Sequence, residues 1–139
     1  MTDDEKAKKL LTGEGFTIAI VGSRSFIFNP KNSRIVNNFI LEHMEPDQIG
    51  AVVSGGAQGA DQQAHVIGEY YDVPTADFLP DWKGHGKRAG FIRNRKIVEN
   101  ADIIFAFWDG KSRGTRHTLK LAKEMGKEFH IYHFESKDN

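Results

Sequence analysis

The stretch GAVVSGGAQGADQQAHVIGEYY (Gly50–Tyr71) decides the fold. Its first part is an apolar run typical of a buried strand, and its last part has the composition of a helix. Between them SGGAQGAD (Ser54–Asp61) holds three glycines in eight residues, although glycine loses more conformational entropy on folding than any other residue. A glycine-rich turn from strand to helix is where a backbone can approach a phosphate. Two hypotheses follow: an anion-binding loop, or a tight turn that permits close helix packing.

The same alternation runs along the rest of the chain. Apolar segments predict five strands, with helices between them: FTIAIVGS, IGAVVS, VPTADFLP, ADIIFAFW and KEFHIYHF. Helices that cross between buried strands imply a parallel sheet with both faces covered. We therefore predict a single α/β domain with a five-stranded parallel sheet over residues 15–139. The charged residues 1–14 are predicted to form a flexible tail.

Composition narrows the function classes. The 139 residues fit one domain, and the absence of cysteine excludes disulfides and thiolate metal sites. Lys plus Arg equals Asp plus Glu at 19 each, which counts against nucleic acid as a partner. No apolar run approaches the ~20 residues of a membrane span, and the N-terminus lacks the apolar core of a signal peptide. We expect a cytoplasmic protein without a membrane partner.

The histidines do not predict a metal site. His65 and His117 are assigned to separate helices, while His130 and His133 face opposite sides of a strand. His85 lies in a glycine-rich loop, where it could either meet a ligand or remain in solvent. We therefore predict neither a metal nor a cofactor.

Four polar loops are predicted at the carboxyl ends of the strands, where open parallel sheets bind their ligands. They are GSRSF (22–26), SGGAQGAD (54–61), DWKGHGKRAGFIRNR (81–95) and WDGKSRGT (108–115). Their spacing matches neither a Walker A loop nor GxGxxG. The candidate ligand-binding residues are Gly22, Ser23, Arg24, Ser54, Gly55, Gly56, Gly59, Asp61, Trp82, His85, Arg93, Asn94, Arg95, Trp108, Ser112, Gly114 and Thr115.

Several of these candidates have an equally simple structural explanation. Ser23, Ser112 and Thr115 could be ordinary turn or helix caps. Asp61 could stabilise the start of its helix rather than contact a ribose or a water. The two tryptophans could pack against the sheet or stack on a base.

Together the motifs resemble the YspA-like group of the SLOG superfamily, which also includes the Smf/DprA proteins and the LOG phosphoribohydrolases. The resemblance rests on VGSRSF, SGGAQGAD, DWKGHGKRAGFIRN and AFWDGKSRGTRHTLKLA, in that order, from about residue 16 to 133. It implies a Rossmann-like, five-stranded parallel sheet in the order 3-2-1-4-5. It also implies a nucleotide-derived ligand, and SGGAQGAD is then similar to a phosphate-facing loop.

The resemblance leaves the activity open. LOG enzymes use an arginine in an R-K pair, for which Arg95 and Lys96 could stand, and a glutamate three residues after a G-T pair. Here that position is Thr118. The remaining candidate catalytic residues are Asp61, Asp109 and Arg95, with Asp81 as a further carboxylate in these loops.

We therefore expect binding of a phosphorylated ligand, either a nucleoside monophosphate or a compound of the ADP-ribose or NAD-derived type. One alternative is hydrolysis of the N-glycosidic bond in such a ligand. A second alternative is single-stranded nucleic acid binding, as in the DprA relatives. Relatives are often dimers, so a homodimer is possible.

Overall fold

The structure, a computed structural model, describes residues 15–55 and 59–136. The predicted tail (1–14) and Gly56 lie outside the described residues. Within these residues the chain forms five strands, five α-helices and two short 3-10 helices, with two of the α-helices between the third and fourth strands. The strands are β1 (Phe16–Gly22), β2 (Ile49–Ser54), β3 (Thr75–Asp77), β4 (Ile103–Trp108) and β5 (Glu128–His133). The helices are α1 (Pro30–Leu41), α2 (Ala60–Tyr70), α3 (Trp82–His85), α4 (Ala89–Asn100) and α5 (Arg113–Glu124).

All neighbouring strands pair in parallel, in the order β3-β2-β1-β4-β5. This order and the five-stranded parallel sheet confirm the predicted Rossmann-like fold. The strand order reverses between β1 and β4, where Ile18 pairs with Ile103 and Gly22 with Phe107. The connections after these two strands therefore lead to opposite faces and open a crevice at the carboxyl edge.

The core has two halves, one on each face of the sheet. On one face Ile20 and Phe105 pack against Val36 of α1 and Ile67 of α2. On the other face Val21, Val53 and Ala106 pack against α4 and α5, with Ile97 and Leu121 among the buried residues. Successive strand residues point to opposite faces, so a strand buried on both faces is apolar at every position. This explains the continuous apolar runs of β1, β2 and β4.

Two elements differ from the sequence prediction. β3 covers only three residues, Thr75–Asp77, rather than the whole of VPTADFLP. It is an edge strand followed by a proline, and Leu79 is exposed. The expected loop before α4 is instead α3 and a 3-10 helix, Gly86–Arg88, because Asp81 caps α3 by accepting a hydrogen bond from the Gly84 amide (2.9 Å).

Among the described residues, no helix combines the length and the apolar character needed to cross a bilayer.

Candidate functional site

A cavity of about 270 Å³ lies at the carboxyl edge of the sheet, between β1, α4 and α5. Its floor is apolar and includes Ile20 and Ile97. Its polar lining comes from all four predicted loops and from Thr118 of α5: Gly22, Arg24, Gly55, Arg93, Asn94, Gly114, Thr115 and Thr118. The fold thus brings together residues that lie up to almost 100 positions apart in the chain.

Arg24 and Arg93 are the charged side chains of this cavity. No acidic residue lines it, and within residues 15–55 and 59–136 neither arginine forms an ion pair. Burial lowers the pKa of Arg93 from its ordinary value, and the nearby Arg24 charge lowers it further. Two uncompensated cations in one partly closed space form a site that attracts an anion.

Arg93 is held in place by neutral acceptors. Its Nη1 donates to the carbonyl oxygen of Gly55, and its Nε donates to Asn94 Oδ1 at 2.9 Å. A Cβ atom on Gly55 would lie 2.7 Å from Nη1, so a side chain there would displace the arginine. The loop after β2 therefore positions this guanidinium directly.

Asn94 links Arg93 to α5. Its Nδ2 donates to the Gly114 carbonyl oxygen (3.4 Å) and lies 3.1 Å from His117 Nδ1. Burial lowers the pKa of His117, as does the nearby Lys120 charge. Asn94 itself is buried, so it acts as a rigid connection between the two helices that border the cavity.

The ends of SGGAQGAD are tied together. Ser54 Oγ donates to Asp61 Oδ1 at 2.9 Å, so the serine that opens the loop binds the carboxylate that closes it. Gly59 has φ of +84°, and a Cβ there would lie 2.5 Å from the Phe26 carbonyl oxygen. The glycine at this position is required by both the turn and the close backbone approach. Gly55 and Gly59 thus support the loop in different ways.

Asp61 belongs to a polar group beside the cavity rather than to its lining. His65 Nε2 lies 2.9 Å from Asp77 Oδ2 and 3.8 Å from Asp61 Oδ1. Burial and the neighbouring Asp77 raise the pKa of Asp61, while the hydrogen bond to Asp77 raises that of His65. One donor atom from each residue lies within 4.8 Å of the others, so the three could chelate a cation. Their mutual hydrogen bonds account for the arrangement equally well without one.

Asp109 organises the loop after β4. Partial burial opposes its charge, but hydrogen bonds from the amides of Lys111 and Ser112 and from the Ser25 and Ser23 hydroxyls lower its pKa to about 2. Both amide distances are 2.9 Å. A carboxylate held ionised by four donors is a weak proton acceptor, so these contacts favour a structural role for Asp109.

Four further candidates, Trp108, Arg95, Trp82 and His85, do not belong to the described lining of the cavity. Trp108 donates from Nε1 to the Ser112 carbonyl oxygen (3.1 Å), and the Arg116 guanidinium lies 5.7 Å from its ring centre. Arg95 projects from the exposed side of α4 toward Glu99, at 3.7 Å. Trp82 and His85 are exposed on α3. The functional roles predicted for these residues stay predictions.

Two residues of the site, Thr118 and Asp77, are not among the candidates that the sequence predicts. Thr118 was noted only as the position where a glutamate was missing, yet it lines the cavity and donates to the Gly114 carbonyl oxygen at 3.1 Å. Asp77 was assigned to a strand without a role. The signal for Thr118 was its position one helical turn after Gly114, whereas nothing local in the sequence marks Asp77.

These features define a Rossmann-like α/β domain with a cationic cavity at its switch point. No family model matches the chain. The Gene 61 protein of Mycobacterium phage D29 is 34% identical over 116 residues, which cover 78% of this chain and 90% of that protein. The chain belongs to the family of this phage protein.

Two solved structures share the fold. DNA processing protein A (DprA) from Streptococcus pneumoniae superposes with a TM-score of 0.69 at 20% identity, covering 94% of this chain and 54% of its own. This chain thus spans about half the length of that protein. DprA from Helicobacter pylori, whose structure concerns its single-stranded DNA binding mode, has a TM-score of 0.65 at 19% identity over 89% of this chain and 67% of its own. The predicted likeness of this fold to that of the DprA proteins is confirmed.

These neighbours correct one expectation. The neutral composition counted against nucleic acid as a partner, with single-stranded binding kept only as the second alternative. That expectation was wrong, because the fold is shared with the DprA proteins, one of which binds single-stranded DNA. The premise was the net charge of zero. Net charge is a sum over the whole chain, so it does not exclude a local concentration of cations such as Arg24 and Arg93.

Proposed function

We propose that this protein binds single-stranded nucleic acid, with a backbone phosphate in the cavity between α4 and α5. The observation that carries the proposal is the pair Arg24 and Arg93, which share the cavity without a carboxylate to neutralise them among the described residues. A phosphodiester supplies the missing negative charge, and arginine donors match its oxygens. The likeness to the DprA fold supports the polymer as the source of that phosphate.

The small lining residues support the same ligand chemistry. Gly22 and Gly55 line the cavity and leave room for their neighbours, since a Cβ would lie 3.1 Å from the Phe107 carbonyl oxygen at Gly22 and 2.7 Å from Arg93 Nη1 at Gly55. Thr115 is buried at the start of α5 and lines the cavity, where a hydroxyl and the amides of the first turn favour an anion. These contacts hold the backbone of a strand without reading its sequence, and we expect little base preference from the cavity itself.

A free nucleotide is the second candidate ligand. The cavity is closed below by Ile20 and Ile97, and its 270 Å³ is enough for the phosphate and sugar of one nucleotide. The motif string Asp81–Asn94 supports placing the chain in the YspA-like group, for which a nucleotide-derived ligand is expected. Hydrolysis receives less support, because Asp61 and Asp109 are engaged away from the cavity.

The test uses fluorescence anisotropy with a labelled oligothymidylate longer than ~16 nucleotides at about 0.15 M salt. Arg24→Gln should weaken binding about tenfold, the usual effect of losing one hydrogen bond to a charged group. Arg24 makes no hydrogen bond or ion pair within the described residues, so this change removes little from the fold. Arg34→Gln on the exposed face of α1 is the matched control and should leave affinity unchanged.

The outcomes separate the two ligands. If the native chain binds the oligonucleotide and only Arg24→Gln weakens it, the proposal stands. Equal effects of Arg24→Gln and Arg34→Gln would contradict the cavity as the site. Absence of oligonucleotide binding, with a raised melting temperature in the presence of AMP or ADP-ribose, would replace the polymer by a free nucleotide.

A further inference from the structure

Two aromatic side chains, one on α3 and one on the cavity-lining helix α4, lie largely in solvent. Trp82, at the start of α3, is 60% exposed, and Phe91, in the first turn of α4, is 58% exposed. Large aromatic side chains ordinarily bury most of their surface. Trp108 shows the contrast: its Nε1 donates to the Ser112 carbonyl oxygen, the Arg116 guanidinium lies over its ring, and the His133 ring lies beside it at a tilt.

The segment that carries these rings is cationic. From Trp82 to Phe91 the sequence WKGHGKRAGF contains Lys83, Lys87 and Arg88 and no acidic residue. All three cations are exposed, and none has an ion-pair partner within the described part of the chain. An exposed aromatic surface surrounded by unpaired cations is complementary to a strand that has both π-faces and phosphates.

The backbone of this segment is well defined. Asp81 accepts hydrogen bonds from the Gly84 amide through its side chain and from the His85 amide through its carbonyl oxygen, both at 2.9 Å. The indole of Trp82 lies over Gly90, since a Cβ added to that glycine would be 3.8 Å from the ring. The fold thus fixes where the indole is attached but leaves most of its surface uncovered.

Phe91 is connected to the cavity through side-chain contacts. Its ring meets His117 edge-on with ring centres 4.5 Å apart. His117 in turn lies 3.1 Å from Asn94, which contacts Arg93 and lines the cavity. Phe91 and Arg93 both lie on α4. A nucleotide whose phosphate is bound at Arg93 would therefore have the ring of Phe91 nearby on the same helix.

We propose that Trp82 and Phe91 form a stacking platform for unpaired bases of single-stranded nucleic acid, with Lys83, Lys87 and Arg88 contacting the adjoining phosphates. The platform rests on the function proposed above but adds a separate subsite, since it binds bases where the cavity binds a phosphate. Stacking tolerates every base because each has a π-face. The platform therefore increases affinity without specifying sequence.

The experiment compares an oligothymidylate with an abasic oligonucleotide of equal length, which has the same phosphates and no bases. The native chain should bind the oligothymidylate at least tenfold more tightly. In the double variant Trp82→Ala/Phe91→Ala this preference should disappear, while affinity for the abasic strand is retained. Arg24→Gln should weaken both ligands equally. Tyr70→Ala, which removes an exposed aromatic ring from α2, is the control and should change neither.

A second measurement does not depend on those substitutions. The chain has two tryptophans, so Trp108→Phe leaves Trp82 as its only one. Stacking of a base on Trp82 should quench its fluorescence as oligothymidylate is added, and the abasic strand should not.

The binding and fluorescence results distinguish failure of the platform from failure of the cavity proposal. Equal binding of the two oligonucleotides to the native chain, or an unquenched Trp82, would overturn the platform and leave the cavity proposal standing. Failure of both oligonucleotides to bind would overturn both proposals.

Discussion

Two glycines of the predicted phosphate loops, Gly59 and Gly114, have different structural roles although they are the same residue type. Gly59 adopts a positive φ and lies against the Phe26 carbonyl oxygen, whereas Gly114 has open space where a Cβ would be. Both glycines belong to predicted phosphate loops, yet only the first is demanded by the backbone. Replacing each glycine by alanine should therefore change the free energy of unfolding by different amounts.

We predict that Gly59→Ala lowers the free energy of unfolding by at least ~2 kcal/mol, because an alanine there is strained in φ and collides with backbone. Gly114→Ala, the same change in a helix, should be neutral or slightly stabilising. Urea unfolding followed by circular dichroism measures both. Equal stability of the two variants would show that the turn after Gly55 relaxes more easily than its geometry indicates.

At the scale of elements, α5 presents one helical face to the cavity. Thr118 lies four residues after Gly114 and three after Thr115, so it shares the cavity-facing side of the helix with both. Thr118 is buried and uses its hydroxyl within the helix. The face is therefore small and uncharged, which leaves the positive charges of Arg24 and Arg93 free to attract a ligand.

Thr118→Glu should place a carboxylate opposite those arginines and reduce oligonucleotide affinity by more than tenfold, since an internal ion pair would replace the phosphate. Anisotropy measures the loss, and circular dichroism verifies the fold. Thr118→Val keeps the side-chain volume and tests the buried position without the charge. Lys123→Gln makes the same change in net charge on the exposed face of α5. Unchanged affinity in a folded Thr118→Glu variant would argue against a phosphate in this cavity.

At the scale of the whole molecule, a net charge of zero is compatible with a local concentration of cations. The chain has no net charge, yet five cations lie at the cavity and on the proposed platform: Arg24, Arg93, Lys83, Lys87 and Arg88. Association with a polyanion then depends on a few local contacts rather than on a long-range field.

The logarithm of the binding constant should accordingly fall with the logarithm of salt concentration with a slope no steeper than about −3.5, given ~0.7 per phosphate contact on a single strand. Arg24→Gln should reduce the slope by about 0.7, and Arg34→Gln should not alter it. An anisotropy titration between ~50 and ~200 mM salt provides the measurement. A slope near zero in the native chain would contradict phosphate binding at these residues.

The sequence by itself determined the sheet and where a site would form. Continuous apolar strands such as FTIAIV can be satisfied only by burial on both faces, so the parallel sheet and its covering helices follow from local patterns. Loops rich in glycine, hydroxyls and arginine after those strands must meet at one edge. The cavity residues Gly22, Gly55 and Thr115 were identified on this basis.

Only the tertiary structure decided which side chains meet. It brings Arg93 rather than Arg95 to the cavity, because residues two apart on a helix point in different directions. It joins Asp77 of β3 to Asp61 and His65 of α2, a contact between two elements that no local pattern encodes. It leaves Trp82 in solvent and covers Trp108 with Arg116. Such outcomes depend on how distant segments pack, and packing is decided by the whole chain rather than by any stretch of it.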